Sequence, residues 1–432
     1  MLDSVSLWPM RCRNFNEFKR SLDQRNNRFP FKKSDSGLLI KIQDRFDMVD
    51  HETWNGLVND ESIFLHMDYI QAIVNSYENG LEYRFATFYE EGKLVGVAAF
   101  QITHFETSDL RSNMNRSNPI ISLFTRGLIR NGQTLRYNML ICGNAFASGD
   151  HGFRFVEQID KQRAYRAILQ AIEMIMDLDQ HEKDKVSAIL IKDFYPEDWE
   201  FCQNFSDDKY SEFLVDPNMV MPIRADWENF DDYLEALTSK YRTKAKGVYK
   251  KAEDIVIRDF DKELLEEHKT DFQKLYDQVH FKADYRVGKL TCEAFCNLMS
   301  ILGDRMILRG LFLNGKLVGF MSGFEYDGTF DAHFVGIDYA LNQRYAIYPL
   351  MLYEFVREAI SRKVKRISFG RTAMEIKSTV GAFPIDLKIF IKHRNAAPNH
   401  LLRLLFNYVK PADFDQRVPY KEKILSEMRL LP

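Results

Sequence analysis

Glu91-Gly-Lys-Leu-Val-Gly-Val-Ala-Ala-Phe100 and Asn314-Gly-Lys-Leu-Val-Gly-Phe-Met-Ser-Gly323 share the core Gly-Lys-Leu-Val-Gly. Each reads as a tight turn followed by an apolar strand. Each is led in by another strand signal, Tyr83–Tyr89 for the first and Met306–Leu313 for the second. Gly-Lys-Leu-Val-Gly alone is a common hairpin sequence. Flanked by matching elements at two places, it argues for two copies of one α/β unit.

Around the first copy the pattern predicts strands at Leu38–Ile42, Leu140–Cys142, Val186–Lys192 and Phe213–Val220, and short helices at Trp54–Leu57 and Met67–Tyr77. Thr103–Arg116 is a long polar stretch. The Gly-rich turn cluster Gly143–Gly152 precedes a helix, Tyr165–Leu178, whose Ile168, Ala171, Ile172 and Ile175 share one face. Around the second copy the pattern predicts helices at Leu264–Val279, Thr291–Ile301 and Tyr348–Lys363, strands at Ile255–Asp259, Thr329–Gly336 and Asp386–His393, and a loop over Phe281–Lys289. The division that follows is a basic N-terminal arm (1–36), a first domain (37–216), a linker marked by Pro217 and Pro222 (217–226), a second domain (227–395) and a helical tail (396–432). Each domain is expected to be α/β, a mixed sheet flanked by helices.

A chain of 432 residues is long for one core and sufficient for two. The formal charge of −3 gives no whole-molecule attraction to DNA, RNA or anionic lipid, so any such contact needs a local patch. The Cys count of 5 includes no CxxC spacing; Cys12, Cys142 and Cys202 lie far apart, and only Cys292 and Cys296 share a helix face. They read as small buried hydrophobes in a reducing compartment. Met1–Phe31 has no continuous apolar core and is not expected to be a secretory signal, and no run is long enough to cross a bilayer. A cytoplasmic protein, at most peripheral at the inner face of a membrane, is expected.

Chemistry concentrates in Arg366-Ile-Ser-Phe-Gly-Arg-Thr-Ala-Met-Glu-Ile-Lys-Ser-Thr-Val-Gly-Ala-Phe-Pro384. Ile367 and Phe369 alternate as in a strand, which stops at Gly370. Beyond it Arg371, Glu375 and Lys377 sit in a loop closed by Gly381 and Pro384, the kind of place where a scaffold displays reactive side chains. A second candidate set is the strand around Asp331 and His333, which alternation puts on one face, where they can orient and tune a general base. A third is the basic segment Ser239–Lys251. Helical spacing puts Lys240, Lys244 and Gly247 on one side and Arg242, Lys246 and Lys250 on another, either a solvated face or a surface for the diphosphate of coenzyme A or a tRNA backbone.

Two tandem units, Ser-Lys-Tyr-Arg242 opening the second, and Phe369-Gly-Arg371 followed by Ile376-Lys377 and Gly381 resemble the FemAB-like branch of the GNAT acyltransferase superfamily, over roughly Leu38 to Arg394. The resemblance implies two tandem GNAT-like domains and transfer of an acyl or aminoacyl group to an amine, from a coenzyme A thioester or aminoacyl-tRNA. It implies no permanently bound cofactor and no metal, with acyl-CoA as co-substrate. Two departures stand out. Gln343-Arg-Tyr-Ala-Ile-Tyr-Pro-Leu350 lacks the glycines of the family's pyrophosphate loop, so either that cradle is missing or the helix start and Arg344 replace it. Ile376 stands before Lys377 where the family carries Phe.

Acyl transfer to an amine needs a free amine, a route for its proton and positive charge at the developing oxyanion. Lys377 is the candidate for the oxyanion or a phosphate, by its chemistry and its family match, and Lys377→Ala is expected to abolish transfer while sparing the melting temperature. Glu375 is a candidate to take the amine's proton or hold its ammonium form; a salt bridge to Arg371 or Lys377 is the other reading. Arg371 suits a phosphate or carboxylate. Tyr345 and Tyr348 can contact a carbonyl or line an acyl tunnel, or simply pack. Three functions stay open: a thioester-dependent N-acyltransferase acting on a cell-envelope lipid, sugar or peptide; an aminoacyl-tRNA-dependent peptidoglycan transferase; and a non-catalytic recognition protein that keeps the fold. His400–Val409, rich in Leu with Arg403 nearby, either packs on the body or rests on a membrane surface.

Overall fold

Both repeated hairpins close on a two-residue turn whose central residues hold positive φ: +49° and +82° at Glu91 and Gly92, +51° and +78° at Asn314 and Gly315. That is the turn whose twist matches the flanking strands. The pairing then shifts at the same point in both copies. Phe88 faces Gly96 while Tyr89 faces Leu94, and Leu311 faces Gly319 while Phe312 faces Leu317. Gly96 and Gly319 lie flat under large side chains; a Cβ at Gly96 would meet the Phe155 ring at 2.3 Å, and one at Gly319 the Met351 side chain at 2.6 Å. The repeat in the sequence is therefore a repeat in backbone geometry.

The computed structural model describes residues 32–76, 81–106, 136–149, 151–178, 186–202, 205–206, 208–282, 289–406 and 411–428. The strands are β1 (Lys32–Lys33), β2 (Leu39–Gln43), β3 (Glu82–Glu90), β4 (Lys93–Glu106), β5 (Arg136–Cys142), β6 (Phe153–Phe155), β7 (Val186–Phe194), β8 (Ser211–Pro222), β9 (Ile255–Asp259), β10 (Met306–Leu313), β11 (Lys316–Tyr326), β12 (Thr329–Ile337), β13 (Arg366–Ser368) and β14 (Phe383–His393). The helices are α1 (His51–Val58), α2 (Met67–Val74), α3 (Lys161–Leu178), α4 (Phe230–Ala236), α5 (Ser239–Lys251), α6 (Lys262–Glu267), α7 (Lys269–Lys282), α8 (Cys292–Leu302), α9 (Tyr339–Tyr345), α10 (Ile347–Ser361), α11 (Met374–Ser378), α12 (Ala396–Phe406) and α13 (Glu422–Met428).

The strands form one sheet in the order β1-β2-β3-β4-β5-β7-β14-β8-β13-β12-β11-β10-β9, with β6 paired to β4. Its centre corrects the expected linker. Residues 217–222 are not a connector but the end of β8, a strand buried between β14 and β13. Each half gives its last strand to the other: β8 lies beside β13 of the second half, and β14 lies beside β7 of the first. Pro217 and Pro222 read locally as breaks, yet Pro222 is at the strand's last position, where a missing N–H costs little. The arm also ends inside the sheet, because Lys32 and Lys33 pair with Ile40 and Leu39; residues 1–31 of the arm, Cys12, most of Thr103–Arg116 and residues 283–288 lie outside the described residues.

Three apolar clusters hold the sheet. Helix α3 covers the first half and α10 the second, with Ile168, Ala171 and Ile172 buried in one and Met351, Phe355 and Val356 in the other. The third cluster is shared. It joins Trp54, Tyr69 and Phe85 of the first half to Phe272, Phe295, Phe320 and Phe324 of the second, with the Phe272 and Phe320 rings stacked at 3.8 Å. Burial of each such aromatic contributes about 1.5–3 kcal/mol, so this cluster helps to hold the two halves together. The expected single helix Leu264–Val279 is two, α6 and α7, broken at His268.

The C-terminal residues return to the second half. Helix α12 packs on β14 and β8. Tyr420 then bridges to Leu237 and buries its ring against Gly381. Among the described residues no helix is long and apolar enough to cross a membrane.

Candidate active site

The parallel pair β12–β13 is short. Thr329, Phe330 and Asp331 pair with Arg366, Ile367 and Ser368, after which β13 turns away at Gly370 (φ +69°) while β12 runs on to Ile337. The two strands part and leave β12 unpaired on that side. On its other side β12 is bulged: His333 and Phe334 together face Ser322 of β11, whose hydroxyl donates to the Phe334 carbonyl (3.0 Å) and accepts from the Phe334 N–H (3.1 Å). A bulge beside a parting of strands re-aims side chains into the gap.

Lys377 reaches this point from α11, a short helix inside what was expected to be a loop. It is 5 % exposed, and its Nζ donates to the carbonyls of Arg371 (2.6 Å) and Gly370 (3.2 Å). Asp331 is buried beside it, in register with Ser368 of β13, whose hydroxyl favours the charged carboxylate. Burial raises the Asp331 carboxyl to about 7, opposed by the Ser368 hydrogen bond and by Lys377; burial lowers Lys377 to about 7, opposed by Asp331. Both groups therefore change protonation near neutral pH, and each favours the charged form of the other.

Two expectations for the site change. Glu375 does not face Arg371 or Lys377: it is exposed and paired with Arg417 of the C-terminal segment (3.0 Å), so the carboxylate beside Lys377 is Asp331. Asp331 and His333 do not act together as a base and its orienter. Asp331 is taken up by Ser368 and Lys377, whereas His333 sits among Phe334, Phe324 and Phe64 with ring centroids 4.1, 4.9 and 5.5 Å away. Burial holds the His333 imidazole neutral, at about 3, and its buried Nε2 has no hydrogen-bond partner among the described residues.

The first half supplies groups that the sequence reading missed. Asp193, fully buried at the end of β7 and held at φ +73°, accepts from the Gly149 N–H (3.1 Å), from Lys192 Nζ (2.9 Å) and from Arg371. Arg371 is thus bound across the halves, its Nε without a hydrogen-bond partner, its guanidinium lowered to about 10 by burial. Lys192 spends its other donors on the carbonyls of Asn144 and Ala147, both at 2.6 Å. His151 Nε2 lies 3.1 Å from the Ser148 carbonyl and Nδ1 lies 3.3 Å from the Ser62 hydroxyl. A carbonyl only accepts, so Nε2 carries the proton; burial and Lys192 hold that ring neutral, at about 3. The signal for these residues was Lys192-Asp193, a charged pair at the end of an apolar strand, matching Gly370-Arg371 at the end of the other.

The remaining candidates lie around α5, α9 and α10. Arg242, on α5, donates to the Leu237 carbonyl at 3.5 Å, and Lys246 is exposed. Lys244 faces Glu375 and Arg417; burial lowers it and Glu375 opposes that. Arg344 and Tyr345 end α9, the guanidinium 5.1 Å from the ring centroid, and Ala346 (φ +52°) turns the chain into α10. The expected single helix thus starts at Ile347, with the Tyr348 N–H capped by Asn342 (2.8 Å) and its hydroxyl raised by burial. Tyr345 and Tyr348 pack on the apolar cluster of the second half. Cys292 and Cys296 share one face of α8 as free thiols.

A family model described as an acetyltransferase (GNAT) domain matches residues 239–378, the span from α5 to α11 that contains Asp331, His333, Arg371 and Lys377. Among solved structures, FemX superposes with a TM-score of 0.51 at 11 % identity, over 82 % of this chain and 98 % of that one. The C-terminal domain of a putative lysylphosphatidylglycerol synthetase from Agrobacterium fabrum gives 0.45 at 9 % identity (82 % and 95 %). A tandem GNAT protein from the clavulanic acid biosynthesis pathway gives 0.44 at 9 % identity (83 % and 99 %). No curated protein matches the chain. Residues 239–378 thus match a GNAT domain, and the chain as a whole shares the fold of FemX.

Proposed function

We propose that the protein is an N-acyltransferase moving an acyl group from a coenzyme A or carrier thioester to an amine of a cell-envelope lipid, sugar or peptide. The observation that carries this reading is the buried Asp331–Lys377 pair, titrating near 7 where β12 and β13 part, within the segment that matches the GNAT domain. The amine nitrogen attacks the thioester carbonyl, the C–N bond forms, the C–S bond breaks and the sulfur leaves as a thiolate, which then takes from the pair the proton the amine gave up. The proton that the amine loses goes to the pair, whose value near working pH suits a general base. His333 stays neutral throughout, so its unpartnered Nε2 is the atom that meets the incoming amine or the carbonyl. Arg371 Nε is a donor left over for a phosphate or carboxylate oxygen, and the basic face of α5 suits the diphosphate of the donor.

The exposed lysines of α5 also support aminoacyl-tRNA as the alternative donor. A cytoplasmic location with peripheral membrane contact through the exposed Leu404 and Arg403 of α12 belongs to the same proposal. Mass spectrometry of the purified protein incubated with amine acceptors and either acyl-CoA or charged tRNA tests it. Acyl adducts from acyl-CoA alone support the leading reading, and adducts from charged tRNA alone the alternative. No adduct from either, with no heat on titrating coenzyme A, leaves a recognition protein.

A further inference from the structure

A row of polar side chains crosses the middle of the sheet where its neighbours are apolar. Asp331 on β12 lies opposite Ser368 on β13, and Ser368 hydrogen-bonds Asn218 on β8. Beyond Asn218 the Tyr195 hydroxyl follows β7. The row is closed off from solvent: Asn218 is fully buried, Ser368 is 5 % exposed and Asp331 4 %. A buried polar row costs stability unless each member is satisfied, which gives such rows a reason beyond packing.

The donor inventory fixes what Asn218 does. Its Nδ2 has two hydrogens and lies 3.2 Å from the Tyr195 oxygen and 3.2 Å from Ser368 Oγ, whereas its Oδ1 lies farther from Ser368, at 3.4 Å. With Nδ2 donating to Ser368 Oγ, the single hydroxyl proton of Ser368 is left for the Asp331 carboxylate. Were that proton given to Asn218 Oδ1, Asp331 would face only a hydroxyl lone pair. The groups that face Asp331 from other elements are Lys377 on α11 and Tyr69 on α2, with His333 two residues along its own strand.

We propose that Asn218, a residue of the first half's last strand, is a positioning residue for the reaction centre of the second: it turns the Ser368 proton onto Asp331 and so holds that carboxylate in its charged, proton-accepting form. This rests on reading Asp331 and Lys377 as the proton-handling pair. Because each half lends its last strand to the other, Asn218 reaches Asp331 only in the exchanged sheet. It lies in the stretch that local sequence marks as a linker.

Infrared titration of the full-length protein tests it. The protonated-carboxyl band that disappears in Asp331→Asn reports Asp331 directly, without substrate. Ser368→Ala is expected to move its midpoint up by about one pH unit or more, Ser368→Thr to restore it, and Asn218→Asp, with the band assigned by adding Asp331→Asn, to move it up further. A midpoint unchanged in both Ser368→Ala and Asn218→Asp overturns the proposal, as does a Thr variant that behaves like Ala. If Asn218→Asp does not fold, the Ala and Thr pair decides alone. Wild-type protein with no transferase activity would remove the acyl-transfer reading and leave the midpoint measurement standing; an active enzyme with a fixed midpoint would remove only the positioning role.

Discussion

The two halves share a hairpin, a bulge and a crossover helix, and differ at their parallel strands. In the first half β5 and β7 pair from Asn138 with Val186 to Cys142 with Ile191, so pairing continues to the last residue of β5. Lys192 then lies across Gly143, where an added Cβ would meet its Cγ at 2.4 Å, and its ammonium is held by two carbonyls of the following loop. In the second half β12 and β13 pair at three positions and separate, and the gap contains Asp331, His333 and Lys377. One copy is zipped and plugged, the other is open and titratable. The lesson is that duplication allowed one half to become the support: its closed end fixes Asp193, which holds Arg371, whose carbonyl holds Lys377.

The largest expected effect breaks the comparison outright. Residues 1–226 and 227–432 made separately each lack a central strand, so neither is expected to show a cooperative unfolding transition in denaturant, and making both together should restore one. An independently folding second half would sink the exchanged-strand account. Next, Asp331→Asn should lower acyl transfer by about 10²–10⁴-fold, the range for loss of a general base. Lys377→Met should do the same and also lower the melting temperature, because the Arg371 carbonyl loses its donor, at about 1–3 kcal/mol, while the Gly370 carbonyl keeps the Met219 N–H. The expectation that Lys377 is dispensable for stability is withdrawn on that ground. Asp193→Asn should cost about 3–5 kcal/mol in chemical denaturation, since it leaves Lys192 and Arg371 buried with less counter-charge.

A smaller effect is the shape of stability against pH. Asp331 is raised from 3.8 to about 7, so its contribution is present below its unfolded value and is lost as pH rises through 7. Lys377 is lowered from 10.5 to about 7, so its contribution is present above its unfolded value and is lost as pH falls through 7. Wild type should therefore lose ground near pH 7 against a double variant Asp331→Asn/Lys377→Met, and regain it at pH 5 and pH 9, as read by melting temperature. A flat difference would show that the pair is not perturbed. The smallest effect is at Arg417→Ala, which breaks an exposed pair with Glu375 and should leave the melting temperature nearly unchanged and transfer unaffected.

Much of each half was legible because its signals are local: alternation gave the strands, the 3.6-residue period gave α3 and α10, and the repeated Gly-Lys turn gave the duplication. Arg371 and Lys377 were legible as charges set between Gly370 and Gly381, and Asp331 as a carboxylate in an apolar strand. The exchange of last strands was not, because pairing β14 with β7 joins Lys388 to Phe194, a contact that no window along the chain contains. For the same reason Asn218 and His151 were invisible as site residues, and Asp193 was legible only as half of a charged pair ending an apolar strand. Glu375 was misplaced because its partner, Arg417, arrives from the returning C-terminal segment.

The exchanged strands also set a timetable for synthesis. β7 leaves the ribosome with one edge bare and waits for β14, about 200 residues later, which at roughly 5–20 residues per second is on the order of 10–40 s. An edge of Val186, Ala188 and Ile189 left open for that long can pair with another chain, so the nascent first half is a natural client for chaperones that shield bare strands.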